Sequence, residues 1–525
     1  MGEIFIPPST PADTQPRSLP HVASSRSQNA DAKLTLTAPT TPKTTPLIMV
    51  EGFLSATGSI GWSPLRKYLA GFEGMLGERE VMIASVGPVS SLHDRACELY
   101  YTIKGGTVDY GEEHARQNGH KRFGRHHLTG LYPTWSLFNP LHFLGHSIGG
   151  TTIMKLQYLL SIGFFGSEGH PDMILSVTTV SAPFRGTQLV YSLGERKDSA
   201  PAVRPFSVGS AIAKAVHVLS YFSPLLPKSI DLHSDSRALS YHESSFKEFL
   251  HHLWRSDWAE GRDATPFDCT FDAADERDAT DKEGVCNPRT YYTSFTALFV
   301  SREKLLCTIK EDTHAILTLF SLNKYSQTKR ISSDGPKHSP HLSNILFPPL
   351  YLGARAIGTF DFSALKPPPS FLRARVPQLN SLSPIPLSMS SKSQLPSRIA
   401  ISRVRISPKP DVEEAAKTQQ NLIDGTGLSE HYWANDGVVP VFSQWHPREC
   451  TATKCIHHEA SLSPRTQRSS RKSIEPGIWN VYTLENTHHL SILPLWIGSS
   501  HQRDFWSDLG NLLHDIESDT RRLYN

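Results

Sequence analysis

Short apolar runs, several rich in β-branched residues, recur along the chain at residues 47–50, 81–86, 141–144, 174–180 and 291–299. Their length and their lack of polar alternation predict buried strands. Between them apolar residues return at spacings of three and four, as in Ile153, Leu156, Leu159 and Leu160, or Phe246, Phe249, Leu250 and Leu253. That spacing predicts helices with one apolar face. Strands alternating with helices predict an α/β fold with a mostly parallel sheet covered on both faces. A last stripe, Phe505, Leu509, Leu512 and Ile516, predicts a C-terminal helix packed on the sheet rather than on a membrane.

The pattern breaks in three places. Residues 1–45 are rich in Ser, Thr, Pro and Ala, cannot bury enough apolar surface to offset ordering entropy, and are expected to form a disordered tail. Residues 362–413 open on Pro367-Pro368-Pro369 and continue rich in Ser, Pro and Arg with little periodicity. A structureless stretch of that length is uncommon inside a compact domain, so it reads as a disordered insertion or a translated intron. Residues 461–474 read as a loop, and no internal repeat is present.

Against 525 residues, 53 Lys plus Arg nearly balance 50 Asp plus Glu, which argues against nucleic acid or an anionic membrane as main partner. No stretch is long and apolar enough to be a transmembrane segment. The first forty-odd residues lack a basic segment followed by an apolar one, so a cytoplasmic location is expected unless an alternative start supplies an export signal. Six scattered cysteines, whose pairing the sequence does not define, agree with a reducing compartment.

The sharpest chemical signal is Gly145-His146-Ser147-Ile148-Gly149-Gly150, between a predicted strand and a predicted helix. Small residues at that junction let a strained turn expose a serine hydroxyl at the end of a sheet, which makes Ser147 a candidate nucleophile. A serine needs a base to take its proton and a carboxylate to orient that base, and hydrolases with this turn place them in the order Ser, acid, His. Asp436, in Asn435-Asp436-Gly437 before the strand-like Val438-Val439, and His489, before the C-terminal helix, fit that order. Taken singly, Asp-Gly is also an ordinary turn and a histidine an ordinary surface residue. An oxyanion would need two N–H donors, for which Ile148, after the nucleophile, and Phe53, after Gly52 in the loop following the first strand, are the candidates.

Beyond this motif the chain resembles the bacterial thermoalkalophilic and staphylococcal lipases. The resemblance is carried by Val86-Gly87-Pro88-Val89-Ser90-Ser91, Asp94-Arg95-Ala96-Cys97-Glu98-Leu99-Tyr100, Gly105-Gly106-Thr107-Val108-Asp109-Tyr110-Gly111, His114 and residues 120–125. Further matching pieces lie at 175–179, 183–190, 263–268, Tyr291-Tyr292 and 435–439, so the match covers most of 47–300 and resumes from about 425. It implies an α/β-hydrolase fold over 46–525 and a triacylglycerol lipase or carboxylesterase acting on acylglycerols at a lipid–water interface, with Ser147, Asp436 and His489 as the triad. It also implies a structural zinc site on Asp94, His114, His120 and Asp263, in a lobe built from 92–130 and 255–290. The lid region falls at 186–254 and a variable, partly disordered insertion at 303–420.

Three departures qualify the resemblance. Glu51 stands where these lipases commonly carry His, and the insertion precedes Asp436. Ser491 and Trp496 stand where carboxylates would bind calcium, so no calcium site is expected. Within the lid region Val208, Ile212, Val216, Leu219 and Phe222 form a helical apolar stripe, readable as a mobile cover or as a fixed packed helix. Cys450, Cys455, His457 and His458 lie too loosely spaced, without a strand-turn-strand pattern, and are expected in a surface loop. Competing functional readings are a phospholipase or short-chain esterase, and a lipase-like binding protein without activity.

Overall fold

The computed structural model describes residues 44–53, 65–69, 78–227, 230–301, 343–373, 427–458, 474–493 and 498–524. Expectations for 1–43, for 374–413, for 461–473 and for Trp496 fall outside them. The described residues belong to one compact unit beginning at Thr44.

All five apolar runs form strands of one seven-stranded sheet, ordered β2-β1-β5-β6-β7-β9-β8. They are β1 (Leu47–Val50), β2 (Val81–Ala84), β5 (Leu141–His146), β6 (Ile174–Val180) and β7 (Tyr291–Leu298). Every pairing in this sheet is parallel. A parallel sheet must be covered on both faces, which is why β1, β5 and β6 are buried at every position, the polar His142 and Ser176 within them bonding to each other at 2.7 Å. One apolar cluster packs Ile48, Phe143, Val177 and Tyr292 under the helices Leu92–Lys104 and Ile148–Ser161. A second packs Leu47, Met49, Leu144 and Phe295 under the C-terminal helix Ser500–Tyr524 through Phe505, Trp506, Leu509 and Leu513.

Two strands of this sheet carry no apolar run. β9 (Trp479–Glu485) pairs with β7 along its length, yet Asn480, Thr483 and Glu485 interrupt its apolar positions. β8 (Cys455–His458) is the edge strand beyond it, which corrects the surface-loop expectation for Cys455, His457 and His458. Outside the main sheet, β3 (Gly106–Asp109) and β4 (Phe123–His127) form an antiparallel pair flanking the helix Glu112–Asn118.

For residues 362–373 the expectation of disorder is also corrected. Phe362–Ala364 and Ser370–Arg373 are short helical turns, and Phe360, Phe362, Leu365 and Phe371 form a third core with Tyr432, Trp433 and Phe442. Three phenylalanines and one leucine within twelve positions supply the burial that the Pro-rich composition conceals.

Helix and sheet are also tied by charge. Glu517, on the C-terminal helix, pairs with Arg79 at 2.5 Å and accepts from the ring of His142 on β5 at 3.3 Å, all three groups being buried. Burial alone would raise the Glu517 carboxyl, but His142 and Arg79 hold it down at about 2. The stabilisation is therefore complete above the ordinary carboxylate value and is lost as pH falls from about 4.5 toward 2. Glu517→Gln is expected to cost about 3 kcal/mol, because Arg79 stays buried without its partner, and to flatten the acid limb of a stability profile measured by urea denaturation at stepped pH.

Candidate active site

Ser147 sits on the turn between β5 and the helix Ile148–Ser161, with φ 53° and ψ −132°. A non-glycine residue in that region stores about 1–3 kcal/mol of strain, which persists only where surroundings over-determine it. The surroundings here are glycines. A Cβ on Gly145 would come within 2.4 Å of the Gly150 nitrogen, and one on Gly149 within 2.2 Å of the Val50 carbonyl oxygen. The helix can therefore lie directly against the ends of β5 and β1 only because both positions lack side chains. The Ser147 N–H donates to the Val180 carbonyl of β6 at 2.9 Å, which locks the turn to the neighbouring strand.

Asp436 and His489 come together from segments 53 residues apart, the imidazole Nδ1–H donating to Asp436 Oδ2 at 2.8 Å. The carboxylate is fully buried, and its other oxygen accepts the N–H groups of Val438 at 2.9 Å and Val439 at 2.8 Å. Val438-Val439 is a tight return rather than a strand, closed by a bridge between Asn435 and Pro440. The imidazole reaches the serine turn through its neighbours: the His146 ring donates from Nε2 to the His489 carbonyl at 2.9 Å, and the two rings lie 4.9 Å apart. Burial first, then the nearby His489, pulls His146 down to about 3, so it stays neutral. Among the described residues the His489 ring bonds to Asp436, and the serine turn is held through Ser147 backbone groups.

The two oxyanion candidates flank the serine. Ile148 opens its helix, so its N–H has no partner within that helix. Phe53 stacks on Trp258 and, with Ser147 and Ile148, lines a cavity of about 130 Å³. Gly52, just before it, lies so close that a Cβ there would meet Ser147 Cβ at 2.9 Å. The rest of the cavity wall is mainly apolar, with Leu189, Val190, Leu193, Val203 and Ile212, and Glu195 as its charged-type group. Burial raises the Glu195 carboxyl to about 7, against the opposing hydrogen bond from the Ala202 N–H.

Two positioning residues carry no signature that a single sequence exposes. Arg95, fully buried, donates to the carbonyls of Glu51 and Gly87 and to Thr152 Oγ1, bridging the Phe53 loop to the helix after Ser147. Burial lowers its pKa to about 10. Gln444 donates to Ala297 and Val439 carbonyls and accepts the Ala297 N–H, fastening the Asp436 return to β7. A buried Arg inside a matched motif is the signal for the first; nothing local marks the second.

Away from the cavity, Asp94, His114, His120 and Asp263 converge, each offering a ligand-type atom within 4.8 Å of the others. His114 Nε2 lies 3.1 Å from Asp94 and 3.3 Å from Asp263, and His120 Nε2 lies 3.4 Å from Asp263. Ligand bonds of about 2.0–2.1 Å in a tetrahedron give edges of about 3.3 Å. His120 Nδ1 faces the Lys121 carbonyl at 2.9 Å, and among the described residues its buried Nε2 has no hydrogen-bond partner. Such an orphaned ring nitrogen aimed at two carboxylates fits a cation. Burial would lower His114, yet the hydrogen bonds to Asp263 and Asp94 outweigh it and hold its pKa near 9 in the metal-free protein. Arg237 neutralises the outer carboxylate oxygens, pairing with Asp94 at 2.9 Å and with Asp263.

A mostly parallel α/β sheet bearing a strained serine turn beside a buried His–Asp pair is the organisation of a hydrolase-like protein of the lipase kind. Residues 43–325 match the model of the lipase-like, C-terminal domain family, and the chain belongs to that family. It is 27% identical to Staphylococcus hyicus lipase over 314 residues, covering 53% of this chain and 45% of that protein. It is 37% identical to a Staphylococcus epidermidis lipase over 171 residues, covering 28% and 25%. The chain thus spans less than half the length of these curated relatives. In fold it is similar to the crystal structure of S. hyicus lipase, with TM-score 0.53, 20% identity and coverage of 93% and 98%. The structure of EstA from Clostridium botulinum is similar too, with TM-score 0.52, 24% identity and coverage of 90% and 88%.

The serine turn gives a direct test of its glycine packing. Gly149→Ala drives a methyl group into the Val50 carbonyl, and the helix must back away from β1. A loss of about 1–3 kcal/mol is expected in a chemical denaturation curve.

Proposed function

We propose that this chain is a carboxylic ester hydrolase with an α/β-hydrolase fold, acting on acylglycerols as a triacylglycerol lipase through Ser147, His489 and Asp436. The observation that carries the reading is the buried His489–Asp436 hydrogen bond of 2.8 Å, set beside a strained serine at the wall of an apolar cavity. Because Nδ1–H donates to the carboxylate, the ring presents an unprotonated Nε2, the tautomer a general base requires.

In this mechanism His489 Nε2 takes the Ser147 proton as Oγ attacks the ester carbonyl. Negative charge collects on the former carbonyl oxygen, where the Phe53 and Ile148 N–H groups stabilise it. The tetrahedral intermediate collapses, His489 returns the proton to the departing alcohol, and an acyl-serine remains. Water then attacks that ester with His489 again as base, releasing the fatty acid. Asp436 stays ionised and holds the ring in place. In this mechanism the hydrogen bond from Ser147 Oγ to His489 Nε2 forms as substrate fills the site.

The apolar wall suits an acyl chain, and part of it comes from the predicted lid. The helix Val208–Tyr221 turns Ile212 into the cavity wall and buries Ala213 and Val216. Val208, Val218 and Phe222, with Phe206 and Leu225 beside the helix, are exposed. An apolar outer surface of that kind supports a cover that opens against a lipid–water interface.

Zinc fits Asp94, His114, His120 and Asp263. When bound it would supply charge neutralisation and a cross-link, since four protein ligands leave no open position for substrate. Asp94 belongs to the same helix as Arg95, so the site would steady the element that holds the Phe53 loop.

Ser147→Ala should lower hydrolysis of a soluble short-chain ester by at least about a thousandfold with the melting temperature unchanged. Unaltered turnover would rule out the mechanism. Arg95→Lys should reduce kcat by up to about a hundredfold by loosening the oxyanion loop, while a fluorophosphonate probe still labels Ser147. For the zinc site, metal analysis should show one equivalent lost when His114 and His120 are both replaced by Ala, and an equally metal-loaded variant would refute the assignment.

A further inference from the structure

A second group of metal-type side chains gathers at the edge of the main sheet, unrelated to the serine site chemistry. Cys455 and His457 are two apart on β8 and so share one face of the strand. Cys450 lies on the turn before β8, and His446 follows the helical turn Val441–Gln444. One donor atom from each of His446, Cys450, Cys455 and His457 lies within 4.8 Å of all the others. Cys450 Sγ is 3.4 Å from His446 Nε2 and 3.5 Å from His457 Nε2. Zinc bonds of about 2.3 Å to sulfur and 2.0–2.1 Å to nitrogen, at tetrahedral angles, give a sulfur–nitrogen edge of about 3.6 Å. The two Cys450–imidazole distances therefore match such an edge, and the remaining donor atoms lie within 4.8 Å of one another.

The surroundings select the ligands. His446 is buried, and its Nδ1–H donates to the Arg448 carbonyl at 2.6 Å, which leaves Nε2 unprotonated where it faces Cys450. Arg448 is in turn held by Asp278 at 3.0 Å. His458 takes no part: its ring stacks on Tyr482 at 4.3 Å and bonds to Asn480 Oδ1 at 3.0 Å. The fourth ligand is thus His446, outside the sequence cluster, rather than its neighbour His458. Both cysteines are free thiols, Cys450 exposed and Cys455 half-buried.

We propose that His446, Cys450, Cys455 and His457 form a structural zinc site distinct from the one on Asp94. Two thiolates with two imidazoles favour zinc over the hard cations calcium and magnesium, and a closed set of four protein ligands excludes a catalytic role. On binding, each thiol gives its proton to solvent and the two thiolates balance the charge of the ion. The ion would pin the edge strand β8 to the segment that follows the Asp436 return, tying a sheet margin to the part of the chain that carries the acid. This assignment is independent of ester hydrolysis.

Cobalt(II) distinguishes the two sites, because only thiolate ligation gives an intense sulfur-to-cobalt charge-transfer band in the near ultraviolet. Full-length protein, reduced, stripped of metal and titrated with cobalt(II), should develop that band. Cys450→Ser and Cys455→Ser should abolish it, and His446→Ala should weaken cobalt binding by at least about tenfold. His458→Ala and the His114→Ala/His120→Ala double variant should retain the band. Wild-type protein gives a second readout without mutation: zinc should slow iodoacetamide labelling of Cys450 and Cys455, measured by peptide mass spectrometry. No band in protein with free thiols, a band unchanged in the cysteine variants, labelling indifferent to zinc, or a Cys450–Cys455 disulfide in the protein as isolated would each overturn the proposal.

Discussion

A carboxylate sealed completely from water has to be matched by donors, and Asp436 is such a group. Leaving it unpaired would cost several kcal/mol, so the chain must deliver its partners to a fixed point. It does so with two backbone N–H groups from the tight return at Val438 and Val439 and with the His489 ring. That requirement reaches outward. Asn435 shapes the return by accepting the Gly437 N–H and donating to the Ala354 carbonyl, so the helix Ser343–Gly358, inside the 303–420 segment, becomes part of the support. Gln444 fastens the same return to β7, and β9 carries the chain to His489. One buried charge thereby fixes the relation between three late segments and the sheet, and the sheet already holds Ser147 at the end of β5.

What could be read beforehand follows from how each element is stabilised. Strands in a covered parallel sheet favour apolar and β-branched residues, so β1, β2, β5, β6 and β7 were visible as short runs of them, with polar His142, Ser176, Thr179 and Ser294 paired inside the sheet. β9 and β8 lie toward the margin, where polar side chains such as Asn480 find partners, and the same rule fails there. The serine turn was legible because its backbone demands glycines at fixed offsets. Arg95 and Gln444 were not, because each acts through carbonyls of residues far away in sequence, and a carbonyl has no letter in the alphabet. Residues 362–373 misled for the opposite reason: composition averages over a window, whereas Phe362 and Phe371 fill specific holes beside Phe442.

The two metal-type clusters show the same limit from another side. In the first, Asp94 and Asp263 lie 169 positions apart, and only a resemblance to known lipases joined them to His114 and His120. In the second, sequence proximity suggested His458, whereas strand alternation turns that ring away and the turn before β8 brings in His446. Spacing along the chain is a guide to ligands only when the local backbone is known.

Chemistry and position divide the labour between these clusters. In the oxygen-rich set Arg237 and His114 pair with the two carboxylates and offset part of their charge. It sits on the helix whose next residue, Arg95, grips the loop of Phe53. The sulfur-containing set sits ten residues past Asp436, on the far margin of the sheet. One cluster thus adjoins the helix that holds the Phe53 loop, and the other follows Asp436 in the chain. A hydrolase whose reacting groups come from distant segments needs each segment held to a fraction of an ångström. If both clusters take zinc as proposed, the two cross-links would supply that rigidity without enlarging the core.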